Sequence, residues 1–294
     1  MFPLEEVKDY LSNVLGLSNV DQFLTNPDKL EIVTTILRAH VQIQPFQNVS
    51  TFLSIDYVNR HRPTWGVIKS AMFRKEGGVC YHHHYLFYEM LNTLKFNVGV
   101  VKARYFGVYT HLVILLRDLV KKGDVYLLEA GSGYPTFQPI CLDFEKESPI
   151  FCESFVEYKY IKHEGLIIRV HKGDDKGEKT ICESKRMIDG WRELYGFSVE
   201  DDEVSTIRAL DDMYEIVMTD KIITPFHDSL RWICFPNFRA RIFVDKTVME
   251  ENSEHKLVKK ELKNTEEIVE AMHELSPVLD DYIIPALNNL KLFE

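Results

Sequence analysis

The chain has 294 residues, of which 45% are hydrophobic and 27% are charged, a composition typical of a soluble globular protein with about two or three domains. Its net charge of −10 argues against nucleic acid and anionic membrane surfaces as partners. No apolar run approaches the roughly twenty residues of a membrane span, the N-terminus lacks a signal-peptide pattern, and the five widely spaced cysteines indicate the reduced thiols of a cytoplasmic protein.

The first part of the chain contains few glycines, and its apolar residues recur at helical spacing. We therefore expect helices over residues 4–15, 20–24 and 29–42.

A turn followed by a helix is predicted at Gly77-Gly78-Val79-Cys80. The paired glycines permit a tight turn, and Cys80 would begin the helix that continues through residues 85–88. A thiol at the start of a helix faces unpaired N–H groups and the positive end of the helix dipole, and both favour the nucleophilic thiolate. The alternative is that Cys80 is a small buried apolar residue, as isolated cysteines commonly are.

Three consecutive histidines, His82-His83-His84, follow the cysteine. Because consecutive helical residues point about 100° apart, the three side chains cannot converge on one metal ion, and no metal is predicted. His84 is expected to point inward, one turn after Cys80, and the other two are expected to point outward. His84 could shift the pKa of Cys80 or bond the neighbouring loop, and it is a rival for the role of general base.

Two predicted strands, over residues 110–116 and 125–128, each bring one titratable residue. His111 lies near the start of the first strand and Glu129 lies at the end of the second, so an antiparallel pair would bring their side chains together. Burying either alone costs on the order of several kcal/mol, so both are expected to be paired or functional. A purely structural pair remains an alternative. With a cysteine presented by glycines upstream, the pattern favours a nucleophile, a base and an orienting acid, and Asp143 is the second choice for the acid.

The rest of the sequence predicts a β-rich middle section, expected to be barrel-like, and a mixed C-terminal section. Further strands of the middle section are expected over residues 98–105 and 166–171, with a turn at 173–177. The elements expected in the C-terminal section are strands over 213–218, 229–235 and 239–244, a helix over 266–275, and a last stretch that Pro285 begins or bends.

Together these residues resemble the arylamine N-acetyltransferases, a family that uses a Cys-His-Asp triad to transfer acetyl groups from acetyl-CoA. Cysteine, histidine and acid follow one another in the family's order with similar gaps, and the resemblance extends over most of the chain. In the first part of the chain, Pro45-Phe46-Gln47-Asn48-Val49 is similar to the family's Pro-Phe-Glu-Asn segment, and Gly77-Gly78-Val79-Cys80 is similar to its nucleophile motif. Thr110-His111-Leu112 is similar to the family's histidine strand. Glu129-Ala130-Gly131-Ser132-Gly133 is similar to its Asp-Val-Gly-Phe-Gly stretch, and Pro139-Ile140-Cys141-Leu142 is similar to the Pro-Leu that follows.

The resemblance implies an α+β fold, with a helical bundle, a β-barrel-like middle domain and an α/β lid around a cysteine-protease-like catalytic core. We place the three domains at residues 1–95, 96–195 and 196–294. The first would carry the nucleophile, and the second would carry the histidine and the acid.

The resemblance also implies a ping-pong acyltransferase with Cys80, His111 and Glu129 as its catalytic triad. The enzyme would move an acetyl or similar short acyl group from acyl-CoA to an amine, arylamine, hydroxylamine or hydrazine. Acetyl-CoA would be a co-substrate rather than a permanently bound cofactor, and the protein is expected to be a cytoplasmic monomer. The residues implied in CoA binding are Gly107, Val108, Gly131, Ser132, Gly133, Tyr214, Thr224 and Ser229.

Four positions depart from the family pattern. Glu76 replaces the arginine before the paired glycines, and His84 replaces an asparagine four residues after the cysteine. Glu129 replaces the aspartate and is one methylene longer, yet it can still accept a bond from the imidazole N–H. Ser132 replaces the aromatic residue between two glycines, which predicts a roomier and more polar acceptor pocket.

Two alternatives keep the same residues and change the function. The first is a cysteine hydrolase or a transglutaminase-like enzyme, because the order Cys-His-acid does not distinguish thioester from amide donors. The second is a non-catalytic homologue that binds CoA or a partner through the same cleft. The departures at Glu76 and His84 motivate the second alternative.

Overall fold

The computed structural model describes residues 2–53, 60–105, 107–172, 186–220 and 227–290. Within these ranges, helices and two antiparallel sheets combine in one chain, which confirms the predicted α+β class. No helix in the described ranges is long and apolar enough to cross a membrane. The predicted domain boundaries at residues 95 and 195 remain a prediction.

The N-terminal part is helical, as predicted. Its helices are α1 (Leu4–Asp9), α2 (Val20–Phe23), α3 (Lys29–Ile43), α4 (Trp65–Phe73) and α5 (Cys80–Thr93), with a π-helical segment over Tyr10–Val14 after α1. The starts of α3 and α4 are capped by Asp28 and Thr64, whose side chains accept bonds from backbone N–H groups of the first turn. By contrast, α5 begins after Val79, which offers no capping side chain, so its first N–H groups are not used by a cap.

The middle of the chain forms a curled sheet of ten strands. They are β2 (Asn97–Tyr105), β3 (Val108–Arg117), β4 (Val125–Leu128), β5 (Ile140–Cys141), β6 (Phe151–Glu153), β7 (Val156–His163), β8 (Leu166–Lys172), β9 (Met187–Ile188), β10 (Trp191–Phe197) and β11 (Glu203–Val204). The order is β5-β4-β3-β2-β10-β8-β7-β6, with β11 beside β2 and β9 beside β10. The strands expected over 98–105, 110–116, 125–128 and 166–171 are confirmed, and the turn expected at 173–177 lies outside the described residues.

The second sheet joins the two ends of the chain. Its order is β1-β12-β13-β14-β15, and its strands and the helices that follow are β1 (Phe46–Gln47), β12 (Arg231–Cys234), β13 (Arg241–Val244), β14 (Thr247–Glu251), β15 (Leu257–Glu261), α7 (Thr265–Leu275) and α8 (Asp280–Leu290). Phe46 pairs with Ile233, so the N-terminal part supplies an edge strand to the C-terminal sheet. Pro285 lies in the middle of α8.

The strand expected over residues 213–218 is wrong, because that segment belongs to helix α6 (Asp211–Thr219). Its buried residues are Tyr214, Val217 and Met218, a spacing of three and four that matches one face of a helix. The β-branched residues Ile216 and Val217 favoured a strand locally, and packing of the apolar face overrode that preference.

The two largest apolar cores of the described residues lie under these elements. The larger extends from the N-terminal helices across the curled sheet, and the smaller fills the space between the C-terminal sheet, α7 and α8. Helix α5 runs through the larger core, and ten of its fourteen residues are buried. Its first residue, Cys80, therefore lies inside the protein next to β3.

Candidate active site

The paired glycines before the cysteine are required by a close approach of the backbone. Gly77 has a φ of +69°, and a Cβ added there would lie 1.9 Å from the carbonyl oxygen of Pro45. The N–H of Gly78 donates to that oxygen (3.1 Å), and the carbonyl of Gly78 accepts from the N–H of Gln47 (3.0 Å). The loop before the nucleophile is thus bound to the Pro45–Gln47 segment, as the tight turn predicted from the sequence requires.

Cys80 begins α5, as predicted, but the structure does not favour a thiolate. Burial raises the pKa of the thiol to about 12, although a hydrogen bond from Tyr214 and the backbone N–H groups of Cys80 and Tyr81 act in the opposite direction. The helix start therefore lowers the pKa of the thiol, as expected, but desolvation raises it by more. In this state Cys80 is a neutral thiol.

His111 and Glu129 form the buried pair that the sequence predicted. Nε2 of His111 lies 2.8 Å from Oε2 of Glu129, and both side chains are almost fully buried. The pairing of β3 with β4 ends at Ile114 and Leu128, so Glu129 comes directly after the last paired residue of β4, and His111 lies three residues before Ile114 on β3. The glutamate side chain spans the distance from the end of β4 to the imidazole of His111.

The charge on this acid is stabilised by two imidazoles. Burial opposes ionisation of Glu129, but His111 and His84 hold its pKa well below the usual range. Oε1 also accepts the N–H of Gly131 at 2.9 Å. Burial lowers the pKa of His111, and Glu129 counteracts part of that effect. The pair is therefore an anionic carboxylate bonded to a neutral imidazole.

The sulfur of Cys80 lies beside this pair without bonding the imidazole. Sγ is 3.9 Å from the carbonyl oxygen of Thr110, the residue before His111. Among the described residues no hydrogen bond joins Sγ to His111. A Cβ added to Gly131 would lie 2.9 Å from the Cα of Cys80, so the acid-bearing segment packs directly on the nucleophile. Nε2 of His111 is bonded to Glu129, so Nδ1 is the ring nitrogen that does not contact the acid.

Tyr214 lies on the sulfur, a position that the sequence did not predict. Its hydroxyl is 3.3 Å from Sγ of Cys80, and its ring lies 4.2 Å from the ring of Tyr81. The hydroxyl of Tyr81 donates to Asp211 at 2.7 Å, which fixes the first turn of α6. Tyr214 was expected as a CoA contact, and the wrong strand prediction for this segment hid its position at the nucleophile.

All three consecutive histidines are buried, so the expectation that two of them point outward is wrong. His82, His83 and His84 are 7%, 1% and 0% exposed. The reason is that neighbouring elements surround the first turns of α5 on every side. Burial lowers the pKa of His82 to about 4 and that of His83 to about 3, so both are neutral. In the described ranges no group of three or more potential ligands could hold a metal ion.

His83 ends a chain of hydrogen bonds with a defined direction. Its Nε2 faces the carbonyl oxygens of Gly78 (2.9 Å) and Pro45 (3.2 Å), so this nitrogen carries the proton. Its Nδ1 then accepts from Nε2–H of His40 at 2.8 Å. Nδ1 of His40 in turn accepts from the hydroxyl of Tyr10 at 3.0 Å. The loop over residues 77–79, the nucleophile loop, is thereby bonded to α3 and to the π-helical segment after α1.

His84 contacts two parts of the site. Its Nδ1 lies 2.9 Å from the carbonyl oxygen of Cys80. Its Nε2 lies 3.1 Å from Oε1 of Glu129 and 3.2 Å from the N–H of Ala130. The inward direction predicted for this side chain is confirmed.

The other described residues predicted to bind CoA lie in three loops and at the start of a strand, and their role stays a prediction. Gly107 lies in the turn between β2 and β3, and Val108 is an exposed first residue of β3. The hydroxyl of Ser132 donates to the carbonyl oxygen of Tyr134 and accepts the N–H of the same residue. Gly133 packs against Phe46 and Ile233, where β1 pairs with β12. The last two are Ser229, which donates to Asp245 at 3.1 Å, and Thr224, which lies outside the described residues.

Arg169 in β8 is a site residue that the sequence analysis missed. Its guanidinium is fully buried and donates to the carbonyl of Pro135 (2.8 Å) and to the hydroxyl of Thr136 (2.6 Å). These bonds hold the loop that follows Glu129. The available signal was a single arginine inside an apolar strand of the sequence, because such a residue is buried only with partners.

Glu76, which replaces the family's arginine, has a structural partner. Nε and a terminal nitrogen of Arg74 bond its two carboxylate oxygens at 2.6 and 2.9 Å. The hydroxyl of Tyr282 in α8 donates to the same carboxylate at 3.2 Å. The departure thus supplies an ion pair that contacts the C-terminal helix, and Glu76 does not contact the nucleophile in the described structure.

The chain resembles known proteins in sequence and in fold. A family model described as N-acetyltransferase matches residues 29–276. The chain belongs to this family. It is therefore an acyltransferase, as the resemblance implied, and its family uses acetyl-CoA as a co-substrate. No curated protein sequence matches the chain.

Solved structures of arylamine N-acetyltransferases share the fold. The enzyme from Salmonella typhimurium has a TM-score of 0.75 at 15% identity, with 98% of each chain covered. The enzyme from Mycobacterium abscessus has a TM-score of 0.72 at 18% identity, covering 93% of this chain and 95% of that one. The enzyme from Mycobacterium marinum in complex with CoA has a TM-score of 0.70 at 15% identity, covering 93% and 98%.

Proposed function

We propose that the chain transfers a short acyl group from acyl-CoA to an amine through a thioester on Cys80. The observation that carries the proposal is the bond of 2.8 Å between His111 and Glu129, next to a cysteine that opens a helix. This arrangement matches a nucleophile, a base and an orienting acid. The family membership supplies the acyl donor class.

In the first half-reaction His111 acts as a general base. Because the thiol is neutral, Nδ1 of His111 accepts its proton while Sγ of Cys80 attacks the carbonyl carbon of the thioester. The bond from that carbon to the CoA sulfur then breaks, and the departing thiolate takes the proton from His111. The products are acyl-Cys80 and free CoA.

In the second half-reaction an amine replaces CoA. Its nitrogen attacks the acyl carbon, His111 accepts a proton from it, and the bond from carbon to Sγ breaks. Cys80 leaves as a thiol after it takes that proton. Throughout, Glu129 accepts the Nε2–H bond, which keeps Nδ1 of His111 directed at the reacting atoms.

Two donors are suited to the oxyanion of the tetrahedral intermediate. One is the backbone N–H of Cys80 at the start of α5, where no side chain caps the helix. The other is the hydroxyl of Tyr214, 3.3 Å from Sγ. Tyr214 also covers the sulfur, so α6 must move slightly for a thioester to reach Cys80.

The substrates and their positions are part of the same proposal. We infer that CoA passes the turn at Gly107 and the loop over residues 131–133 towards the segment that carries Ser229. The acceptor is a small amine, arylamine, hydroxylamine or hydrazine, and Ser132 leaves more room for it than an aromatic residue would. We also propose that the protein acts in the cytoplasm as a monomer, and its five widely spaced cysteines support the reducing compartment.

A burst experiment tests the function. Acetyl-CoA mixed with the protein should release one CoA per chain in a rapid phase, and mass spectrometry should locate the acetyl group on Cys80. Cys80→Ala should abolish the burst. Cys234→Ala is the matched control, because burial also raises the pKa of Cys234 to about 12, and this variant should keep the burst. Failure of several acyl-CoAs to acylate the wild-type protein, or release of acyl groups from peptide amides instead, would reject the proposal.

A further inference from the structure

His84 joins the nucleophile to the acid through its two ring nitrogens. The side chain is fully buried, so no solvent competes for either nitrogen. Nδ1 lies 2.9 Å from the carbonyl oxygen of Cys80. A carbonyl oxygen only accepts hydrogen bonds, so Nδ1 carries a proton in every state of the ring.

The second nitrogen has a partner in both protonation states. In the neutral ring Nε2 accepts the N–H of Ala130, which lies 3.2 Å away. In the protonated ring Nε2 donates to Oε1 of Glu129 at 3.1 Å. The two bonds exclude each other, yet each connects His84 to the same two-residue segment. The link to Cys80 is therefore independent of the charge on the ring.

The link lies where α5 and the acid-bearing segment are in closest contact. A Cβ on Gly131 would come within 2.9 Å of the Cα of Cys80 and 3.1 Å of the Cβ of His83. At such a contact a small shift of the helix changes the distance from Sγ to the imidazole that Glu129 orients. A loss of about 1 Å in alignment costs roughly 100-fold in rate.

We propose that His84 is a positioning residue of the catalytic site, which holds Cys80 and Glu129 in register through one imidazole. This role rests on the proposed function of Cys80. It also connects two of the departures from the family pattern. The imidazole of His84 is longer than an asparagine side chain, and Glu129 is longer than an aspartate. In this chain the two longer side chains are within 3.1 Å of each other.

Two substitutions, each of which retains one polar end of the imidazole, test its bonds to Cys80 and to Glu129 separately. His84→Asn keeps a donor near the position of Nδ1 and loses the bond from Nε2 to Glu129. His84→Gln keeps a polar group near the position of Nε2 and loses the bond from Nδ1 to the carbonyl oxygen of Cys80. We expect the single-turnover rate of Cys80 acetylation to fall about 10-fold in each, and about 100-fold in His84→Ala, where both bonds are absent. The acetyl-CoA concentration at half-maximal rate should change less than about twofold, because the buried ring does not contact the donor.

A stability control separates positioning from folding. Met90→Ala removes a buried apolar side chain ten residues after Cys80 in α5, so it should lower the unfolding temperature and leave the acetylation rate of the folded protein unchanged. If the His84 variants lost rate only in proportion to their unfolded fraction, the positioning role would be wrong.

Coupling to the acid is measured with a double-mutant cycle. In the Glu129→Asp background the carboxylate no longer reaches His84, so His84→Ala should cost less rate and less urea resistance than in the wild type. Additive effects on both quantities would overturn the inference. The urea-unfolding part of the cycle does not require catalytic activity. A wild-type protein without a burst would therefore reject the proposed function, and urea unfolding would still show whether His84 is coupled to Glu129.

Discussion

At Gly131 the acid-bearing segment passes so close to Cys80 that no side chain fits between them. The same segment places the Gly131 N–H on Oε1 of Glu129, so one residue serves both packing and the charge of the acid. In the sequence this glycine is part of the motif over residues 129–133. Its physical reason, a close approach between two backbones, became visible only in the folded chain.

We predict that Gly131→Ala lowers stability by about 1–3 kcal/mol and slows acetylation of Cys80 about 100-fold, because the added methyl group displaces the start of α5. Urea unfolding and the burst assay measure the two effects. Gly66→Ala is the control, since a Cβ at this exposed position in α4 meets only the Thr64 hydroxyl at 3.9 Å, and it should raise stability by about 0.5–1 kcal/mol. An unchanged burst rate in Gly131→Ala would contradict the packing argument.

At the scale of the element, α5 is exceptional because it is buried around most of its circumference. A surface helix has one apolar face, and that expectation led to the prediction of two outward-pointing histidines. Instead each imidazole of the triplet enters a different part of the core. His82 lies against Gly78, His83 bonds the nucleophile loop, and His84 bonds the acid.

Buried neutral histidines make stability depend on pH. Burial lowers the pKa of His82 to about 4 and that of His83 to about 3, whereas in the unfolded chain both return to about 6.5. Between these values the unfolded state binds more protons, so stability is fully present above about pH 6.5 and is lost as the pH falls. Each histidine contributes a slope of roughly 1.4 kcal/mol per pH unit over that window.

We therefore predict that the free energy of unfolding falls steeply from pH 6.5 to pH 4.5, and that His82→Leu reduces the slope by about one proton. Urea unfolding at several pH values measures it. Phe87→Leu in the same helix controls for altered packing without removing a titrating group. A slope that is the same in His82→Leu and in the wild type would show that His82 is not buried in its neutral form.

At the scale of the whole molecule, the two ends of the chain are joined by a sheet. Strand β1 comes from the N-terminal part and pairs with β12 of the C-terminal part. Asn48 completes this connection, because its side chain accepts the N–H of Arg231 and donates to the carbonyl of Ser229, both at 2.7 Å. The loop before Cys80 is bonded to the backbone of Pro45 and Gln47. The segment that connects the N-terminal part to the C-terminal sheet therefore also holds the candidate active site.

We predict that Asn48→Ala lowers the free energy of unfolding by about 2–4 kcal/mol, because it leaves two backbone groups without their side-chain partner. Asn48→Asp should retain the acceptor for the Arg231 N–H but oppose the Ser229 carbonyl with a charge, and so should be destabilising as well. Asn289→Ala, which removes a single bond of 2.6 Å to the carbonyl of Phe52, should cost less than Asn48→Ala. Denaturant unfolding of the three variants measures the order. Equal costs for Asn48→Ala and Asn289→Ala would contradict this role.

Local features of the sequence determined much of the architecture and the chemistry of the site. The helical spacing of the first part, the strands that carry His111 and precede Glu129, and the glycine turn before Cys80 each depend on neighbours within a few residues. The pairing of His111 with Glu129 also followed locally, because two strands joined by a hairpin loop are adjacent in the sheet.

Only the tertiary structure decided which distant side chains contact the sulfur and the segments next to it. Tyr214, Arg169 and His40 are far from Cys80 along the chain, and their positions depend on how α6, β8 and α3 pack in the folded protein. The protonation of the thiol was decided in the same way. The helix start that favours a thiolate is local and visible in the sequence, whereas the desolvation that outweighs it comes from side chains that meet only after folding.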